Sequence, residues 1–120
     1  MIAPKIGGAI AKDGAVIEAD FQLAGGPSVL FDCIFLALSP EGAAALSSEA
    51  AAVAFVHDAF SHLKVIGATP DAQPLLDKAG VLADKGVISA NKKGAPIDDF
   101  LTRAAMGRIW EREPSVRTIY

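Results

Sequence analysis

Residues 31–38 read Phe31-Asp-Cys-Ile-Phe-Leu-Ala-Leu38, and their pattern decides the fold class. The run does not alternate: apart from Asp32 it is apolar throughout. A half-buried strand would place polar residues at every second position. A strand apolar on both faces belongs in the middle of a parallel sheet, covered by helices. Ser39-Pro40-Glu41 follows at once. A serine that can cap, a proline at the first helical position and an acid in the first turn announce a helix. Strand and then helix is the opening of an α/β unit.

Downstream the same alternation repeats. Leu46, Val53, Val56, Phe60 and Leu63 share one helical face in an alanine-rich stretch. Ser47 or Ser48 divides that stretch, leaving a second helix over about 49–62 to cover the sheet. Lys64–Ala68 reads as a short strand, and 69–72 as an irregular elbow. Proline is tolerated only in the first turn of a helix. Pro74 therefore places the next helix start near Gln73, and Gly80 ends that helix. Gly86–Ala90 is a further strand, followed by a loop over Asn91–Pro96. The last helix is expected from Ile97 to Arg112, with Pro114 stopping it. Asp98 and Asp99 lie early in it and Arg108 and Arg112 late, which suits the helix dipole. Three strand–helix pairs in succession predict a mostly parallel sheet.

Upstream, Ile2–Lys5 is a short strand candidate. Ala9–Lys12 and Ala15–Glu18 flank Asp13-Gly14. Asp-Gly between two extended runs signals a hairpin whose two central residues take positive φ. Ala24–Ser28, with Gly25, Gly26 and Pro27, reads as a turn.

Composition narrows the class. With 120 residues the chain is one domain, and 52% apolar against 21% charged residues supports a packed core. Much of the apolar share is alanine, which favours close packing of helix on sheet. The net charge is −3, and Lys92-Lys93 is an isolated basic pair. Nucleic-acid binding, which needs a basic face, is therefore disfavoured. No apolar run approaches the ~20 residues of a membrane span. The N-terminus lacks the regions of a signal peptide, and the single Cys33 excludes an internal disulfide framework. A soluble cytoplasmic protein is the simplest expectation.

Few residues suggest chemistry. Cys33 sits inside an apolar strand, where a buried thiol is inert and serves packing. His57 and His62 are five apart, about 140° around a helix, so they do not converge on a metal. Asp58 and His62, and Asp99 and Arg103, have the four-residue spacing of helix-surface pairs. Asp98 and Asp99 form a helix-start charge cluster, not an acid–base dyad. Gly7-Gly8 and Gly25-Gly26-Pro27 lack the spacing of a phosphate cradle. No Gly-x-Ser-x-Gly elbow exists. Trp110 is expected to anchor the last helix, with an interface contact as the alternative.

A series of segments carries a family resemblance. In order they are Ala3-Pro-Lys-Ile-Gly7, Asp13-Gly14, Gly26-Pro-Ser-Val-Leu-Phe-Asp32, Glu41-Gly-Ala-Ala44 and Phe55-Val-His-Asp-Ala-Phe60. Ile66-Gly-Ala-Thr69, Pro74-Leu-Leu-Asp-Lys-Ala-Gly80 and Arg108-Ile-Trp-Glu-Arg-Glu-Pro114 complete it. Over nearly its whole length the chain resembles the C-terminal domain of large-subunit haem catalases. That domain belongs to the class I glutamine amidotransferase-like superfamily. The resemblance implies a flavodoxin-like three-layer α/β/α fold over residues 1–120, with a small N-terminal hairpin. It also implies a cysteine nucleophile's elbow at Ile66–Asp71, which here offers Gly67, Thr69 and Pro70 and no cysteine. A vestigial elbow and no catalytic residue are expected. Haem would belong to the catalase core, whose distal histidine and asparagine and proximal tyrosine cannot be mapped here; Tyr120 fits no such motif.

The resemblance further implies that the first β-α unit is missing. In the strand order 2-1-3-4-5, that loss opens the edge of Phe31–Leu38. An open apolar edge invites self-association or coverage by rearranged N-terminal segments. Expected partners are thus the catalase core or a second copy. The function that follows is a non-catalytic accessory role, stabilising an assembly or acting holdase-like. A small-molecule module at the sheet's switch point, or a hydrolase with another nucleophile, are the alternatives.

Overall fold

The computed structural model describes residues 1–4, 7–11, 13–90 and 95–119. Lys5 and Lys12, the 91–94 part of the expected loop with Lys92 and Lys93, and Tyr120 lie outside them. Near the N-terminus, β1 (Ile2–Ala3) pairs in parallel with β4 (Phe21–Gln22). Between them β2 (Ala9–Ile10) and β3 (Val16–Ile17) form the expected hairpin, shorter than its sequence suggests. Its loop is also wider. The Ala11 N–H donates to the Ala15 carbonyl at 2.8 Å, and Gly14 N–H to Ala11 at 2.9 Å. Three residues rather than two thus lie between the last bonded pair, and Gly14 takes positive φ, 86°. This is the three-residue loop closed by a left-handed glycine. Residues 24–28, expected as a turn, fall between and within two short 3-10 turns, Leu23–Gly25 and Ser28–Leu30.

Among the described residues the main sheet has three parallel strands, β5 (Cys33–Leu36), β6 (Val65–Ala68) and β7 (Val87–Ser89), in the order β5-β6-β7. Side chains alternate across it. Ile34, Ile66 and Ala68 join a core with helices α1 (Pro40–Ser47), α2 (Ala50–Ser61) and α3 (Gln73–Lys78). Val65 faces the other way and packs with Phe100 of α4 (Ala95–Ala105) and with Ile109. Helices thus lie on both faces, giving the expected three layers.

The mid-sheet position that the pattern of Phe31–Leu38 suggests is corrected, whereas the open edge that the resemblance implies is found among the described residues. β5 is an edge strand, and β6, all of whose residues are buried, is central. Apolarity on both faces records that both faces are covered; it does not record the number of neighbouring strands. Phe35 accordingly keeps 38% of its surface exposed.

The helix starts and stops follow from local chemistry. The Ser39 hydroxyl accepts from the Gly42 N–H at 3.1 Å, and Pro40 occupies the first turn. The break at Ser47-Ser48 separates α1 from α2 as the sequence predicts. The α2 end is unusual, because Leu63 takes the left-handed position, φ 66°, normally given to glycine. Its N–H reaches the Phe60 carbonyl, and the Lys64 N–H reaches that of Ala59, both at 3.0 Å. Burial of the Leu63 side chain offsets the backbone cost. At the end of α3, Gly80 serves the same purpose at φ 74°.

The expected single helix from Ile97 to Arg112 is also corrected. α4 ends at Ala105, and Gly107 turns the chain at φ 84°. A 3-10 turn, Trp110–Arg112, leads into α5 (Glu113–Ile119). Pro114 therefore starts a helix rather than stopping one, as its fixed φ and missing N–H allow. Trp110 does not anchor this region: it is 63% exposed, whereas Ile109 and Arg112 are buried. Arg103 meets Glu111 at 3.4 Å and forms no pair with Asp99.

Arg112 is the hub. Its Nε and Nη2 grip Asp84 at 2.6 and 3.0 Å. Its Nη1 donates to the carbonyls of Phe60 (3.0 Å) and Lys64 (2.8 Å), and the guanidinium lies 4.2 Å from the Phe60 ring centre. Asp84 also accepts the Gly86 N–H at 2.8 Å. One cation thereby ties the end of α2, the entry to β7 and the C-terminal segment. Lys64 complements it from the other side. Its buried ammonium donates to the carbonyls of Ser28 (2.8 Å), Val29 (3.1 Å) and Phe31. Burial, and the charge of Arg108, push its pKa down, against the pull of Asp32.

Replacing Arg112 by alanine strands a carboxylate and two carbonyls. We expect a loss of about 3–5 kcal/mol in urea denaturation. Arg112→Lys should recover little of it, since an ammonium cannot reproduce the bidentate fork. A lysine variant as stable as the wild type would show that charge alone suffices. Gly67→Ala tests the packing of α4 on β6. A Cβ there would stand 2.5 Å from the Phe35 ring and 2.7 Å from that of Phe100. The expected cost is about 1–3 kcal/mol by thermal melting; a neutral result would mean that the rings shift freely.

Candidate functional site

The elbow after β6 is where the sequence directs attention. Gly67 lies in the central strand beneath two aromatic rings, which sit edge to face with centroids 5.3 Å apart. Thr69 follows the strand with φ −68° and ψ 152°, ordinary extended geometry. A nucleophile elbow is a sharp, strained turn that lifts the reactive atom clear of the sheet. Nothing of that strain is present at Thr69. Pro70 opens the 3-10 turn Pro70–Ala72, which runs directly into α3.

The Thr69 hydroxyl is committed. It accepts the Leu38 N–H at 3.1 Å and lies 2.9 Å from the Leu38 carbonyl and 3.3 Å from that of Leu36. The Thr69 N–H donates to Leu36 at 2.9 Å as well. The side chain extends the β5–β6 ladder beyond the last strand residue. Its oxygen faces main-chain groups, and no histidine is among its partners.

The other candidates do not gather around it. Cys33 lies on the opposite end of β5 and is half-buried rather than buried. Burial, reinforced by the Asp32 carboxylate, pushes its thiol above the usual pKa. That favours the protonated form over the nucleophilic or iron-binding thiolate. His57 Nδ1 sits 3.0 Å from the Ala79 carbonyl, and His62 is exposed. The His62 main-chain N–H donates to the Asp58 carbonyl at 2.8 Å, and the two side chains form no ion pair. Among the described residues no three His, Cys, Asp or Glu side chains approach closely enough to hold a metal ion. Nor does this set fit haem, which needs an ionised or imidazole ligand on the wall of an apolar slot.

One apolar slot does exist. A cavity of about 500 Å³ runs along β5, floored by the successive residues Cys33 to Leu38. Met1–Pro4, Leu23, Phe55, Val56 and Leu75 also line it. Sequence reasoning anticipated an open edge on this strand, with self-association or coverage by N-terminal segments as its outcomes, and Met1–Pro4 do line the slot. It missed Lys64 and Arg112 altogether, since neither has a local pattern that signals burial.

Comparison with known proteins gives a consistent picture. The sequence profile of the C-terminal domain found in long catalases matches residues 6–114. Catalase C of Rhizobium meliloti is 46% identical over 98% of this chain, which covers 17% of that protein. Catalase HPII of Mycobacterium avium is 31% identical over 93% of this chain, covering 18% of that protein. The chain therefore spans less than a fifth of these relatives. Among solved structures, a ThiJ/PfpI family protein from Pseudomonas syringae superposes with a TM-score of 0.64. It shares 17% identity and covers 99% of this chain and 60% of its own, which establishes a shared fold. Haem binds in the catalase core domain, which this chain does not contain. No helix among the described residues is long and apolar enough to cross a membrane. The segments of the sequence, the three-layer sheet and the profile match agree: this chain belongs to the family of C-terminal domains found in long catalases.

Proposed function

We propose that this chain is a non-catalytic accessory domain of a long catalase and stabilises the enzyme's assembly. In this reading Gly67, Thr69 and Pro70 are a vestigial elbow, and peroxide chemistry belongs to a haem-bearing core in the cytoplasm. The observation that carries it is the Thr69 hydroxyl, spent on the main chain of Leu36 and Leu38. A nucleophile must be free to meet a base and a substrate. The apolar side chains left at the surface support a contact role. Val29, Leu30, Leu101, Met106 and Trp110 are each at least 58% exposed. Exposed apolar side chains mark contact surfaces where they adjoin.

The test uses the Rhizobium meliloti catalase, shortened to remove the matched region. Fusing this chain in its place should slow heat inactivation of peroxide turnover severalfold, leaving kcat unchanged. No gain in heat resistance would remove the stabilising role. If Thr69 is structural, Thr69→Ala should cost about 1–3 kcal/mol in denaturant melts, because it leaves main-chain groups unpaired. Thr69→Ser, which keeps the oxygen, should be milder. A hydrolytic activity lost in Thr69→Ala but kept in Thr69→Ser would instead mark Thr69 as a nucleophile. Cys33 should react with iodoacetamide at pH 7.5 more slowly than a free thiol, its raised pKa limiting the thiolate. Rapid alkylation would reopen it as a reactive group.

A further inference from the structure

The two ends of the main sheet differ in character. β5, β6 and β7 are parallel, so their entries share one end and their exits, with the elbow at Thr69, share the other. Hydrogen bonds tie the entry segments into one surface. Lys64, ahead of β6, holds the Ser28 and Val29 carbonyls ahead of β5. Asp84, ahead of β7, grips Arg112, whose Nη1 returns to the Lys64 carbonyl. The Ile109 N–H reaches Leu63 at 2.7 Å. From these segments Val29 and Leu30 (each 60% exposed), Leu82 (53%) and Trp110 (63%) turn outward. The described connections leaving β5 and β6, at 37–39 and 69, expose no large apolar side chain. The entry end is also cationic. Lys85 and Arg108 are exposed there, and among the described residues neither forms an ion pair. Asp84 and Glu111 are engaged by Arg112 and Arg103, which leaves Asp32 against two cations.

We propose that the strand-entry end is the surface by which this domain docks on the catalase core, and that the core meets it with an apolar patch rimmed by carboxylates. The elbow end then faces away from the contact. This rests on the accessory reading above. Tryptophan and arginine carry a large share of the energy at protein interfaces, and Trp110 and Arg108 stand two residues apart. The surface is also preorganised. The Lys64 ammonium pins the main chain that displays Val29 and Leu30, and Arg112 pins the 3-10 turn that displays Trp110. Ordering these side chains on binding therefore costs less. Charge selects the partner. In a two-fold pairing each copy offers the same patch to the other, so Lys85 and Arg108 would meet their own kind. A surface bearing carboxylates completes them instead.

Hydroxyl-radical labelling by X-ray radiolysis of water reads which side chains become covered. The sample is the shortened Rhizobium meliloti catalase with this chain fused in place of its matched region, and the reference is the free chain. Labelling of Leu30 and Trp110 should fall at least about fivefold in the fusion, because anchoring side chains are fully desolvated. Ile10, 77% exposed on the hairpin, should be labelled as before. Arg108→Glu and Trp110→Ser, both at exposed positions, should each restore labelling of Leu30 in the fusion. Melting of the free variants checks that they fold, and Lys85→Glu serves as a further variant should one of them unfold. Heat resistance gained while Leu30 and Trp110 stay fully labelled would overturn this surface and leave the accessory reading standing. Labelling of the two residues that falls as the free chain is concentrated would assign the end to a second copy, against the proposal. A fusion with neither heat resistance nor protection would overturn both.

Discussion

A buried guanidinium holds the architecture together. Arg112 comes from a segment far along the chain, yet it closes the end of α2 and fixes the entry to β7 through Asp84. A charge so placed is tolerable only when every donor finds a partner. The geometry meets that demand with a bidentate carboxylate, two carbonyls and an aromatic face. The requirement propagates. Gly86 has no side chain because a Cβ would stand 2.6 Å from the guanidinium and 2.4 Å from Ile109. The Ile109 N–H in turn donates to the Leu63 carbonyl at 2.7 Å, which holds the left-handed turn after α2. Lys64, next in line, secures the segment before β5. Two cations beside one tight turn thus organise the entries to all three strands of the sheet.

Much of this fold is legible in the sequence because it depends on neighbours in the chain. Ser39 and Pro40 begin a helix for reasons contained within four residues, and Ser47-Ser48, Pro74 and Gly80 act as locally. The failures share one cause. Whether a strand is central or at the edge depends on how many strands stand beside it, and the apolar run at 31–38 carries no such count. The stretch from Ile97 to Arg112 keeps helical spacing through Gly107, so periodicity alone joins two elements. Trp110 and Arg112 exchange their expected places for the same reason. The larger apolar ring lies outside, and the charged side chain lies inside, because Asp84 and the Phe60 carbonyl wait there.

The site divides along the same line. The position of the elbow after β6 follows from the strand–helix order, and the lack of cysteine there is visible in Ile66-Gly-Ala-Thr69. What the threonine does instead is a tertiary fact. Its hydroxyl completes a ladder with Leu36 and Leu38, residues more than thirty positions away. A side chain that in another setting would be read as a weak nucleophile here acts as an extra rung between two strands.

The close approach at Gly67 bears on how such a domain can change over generations. Phe35 and Phe100 fill the space that any side chain at 67 would need. Substitutions at the three positions are therefore not interchangeable in time. A larger residue at 67 becomes tolerable only after one ring has been trimmed, whereas trimming a ring first opens a void that itself costs stability. Neither single step is easy, and the two together can be neutral. The trio should drift as a unit or not at all, so its members record the lineage's order of mutations more faithfully than the freely varying surface around them.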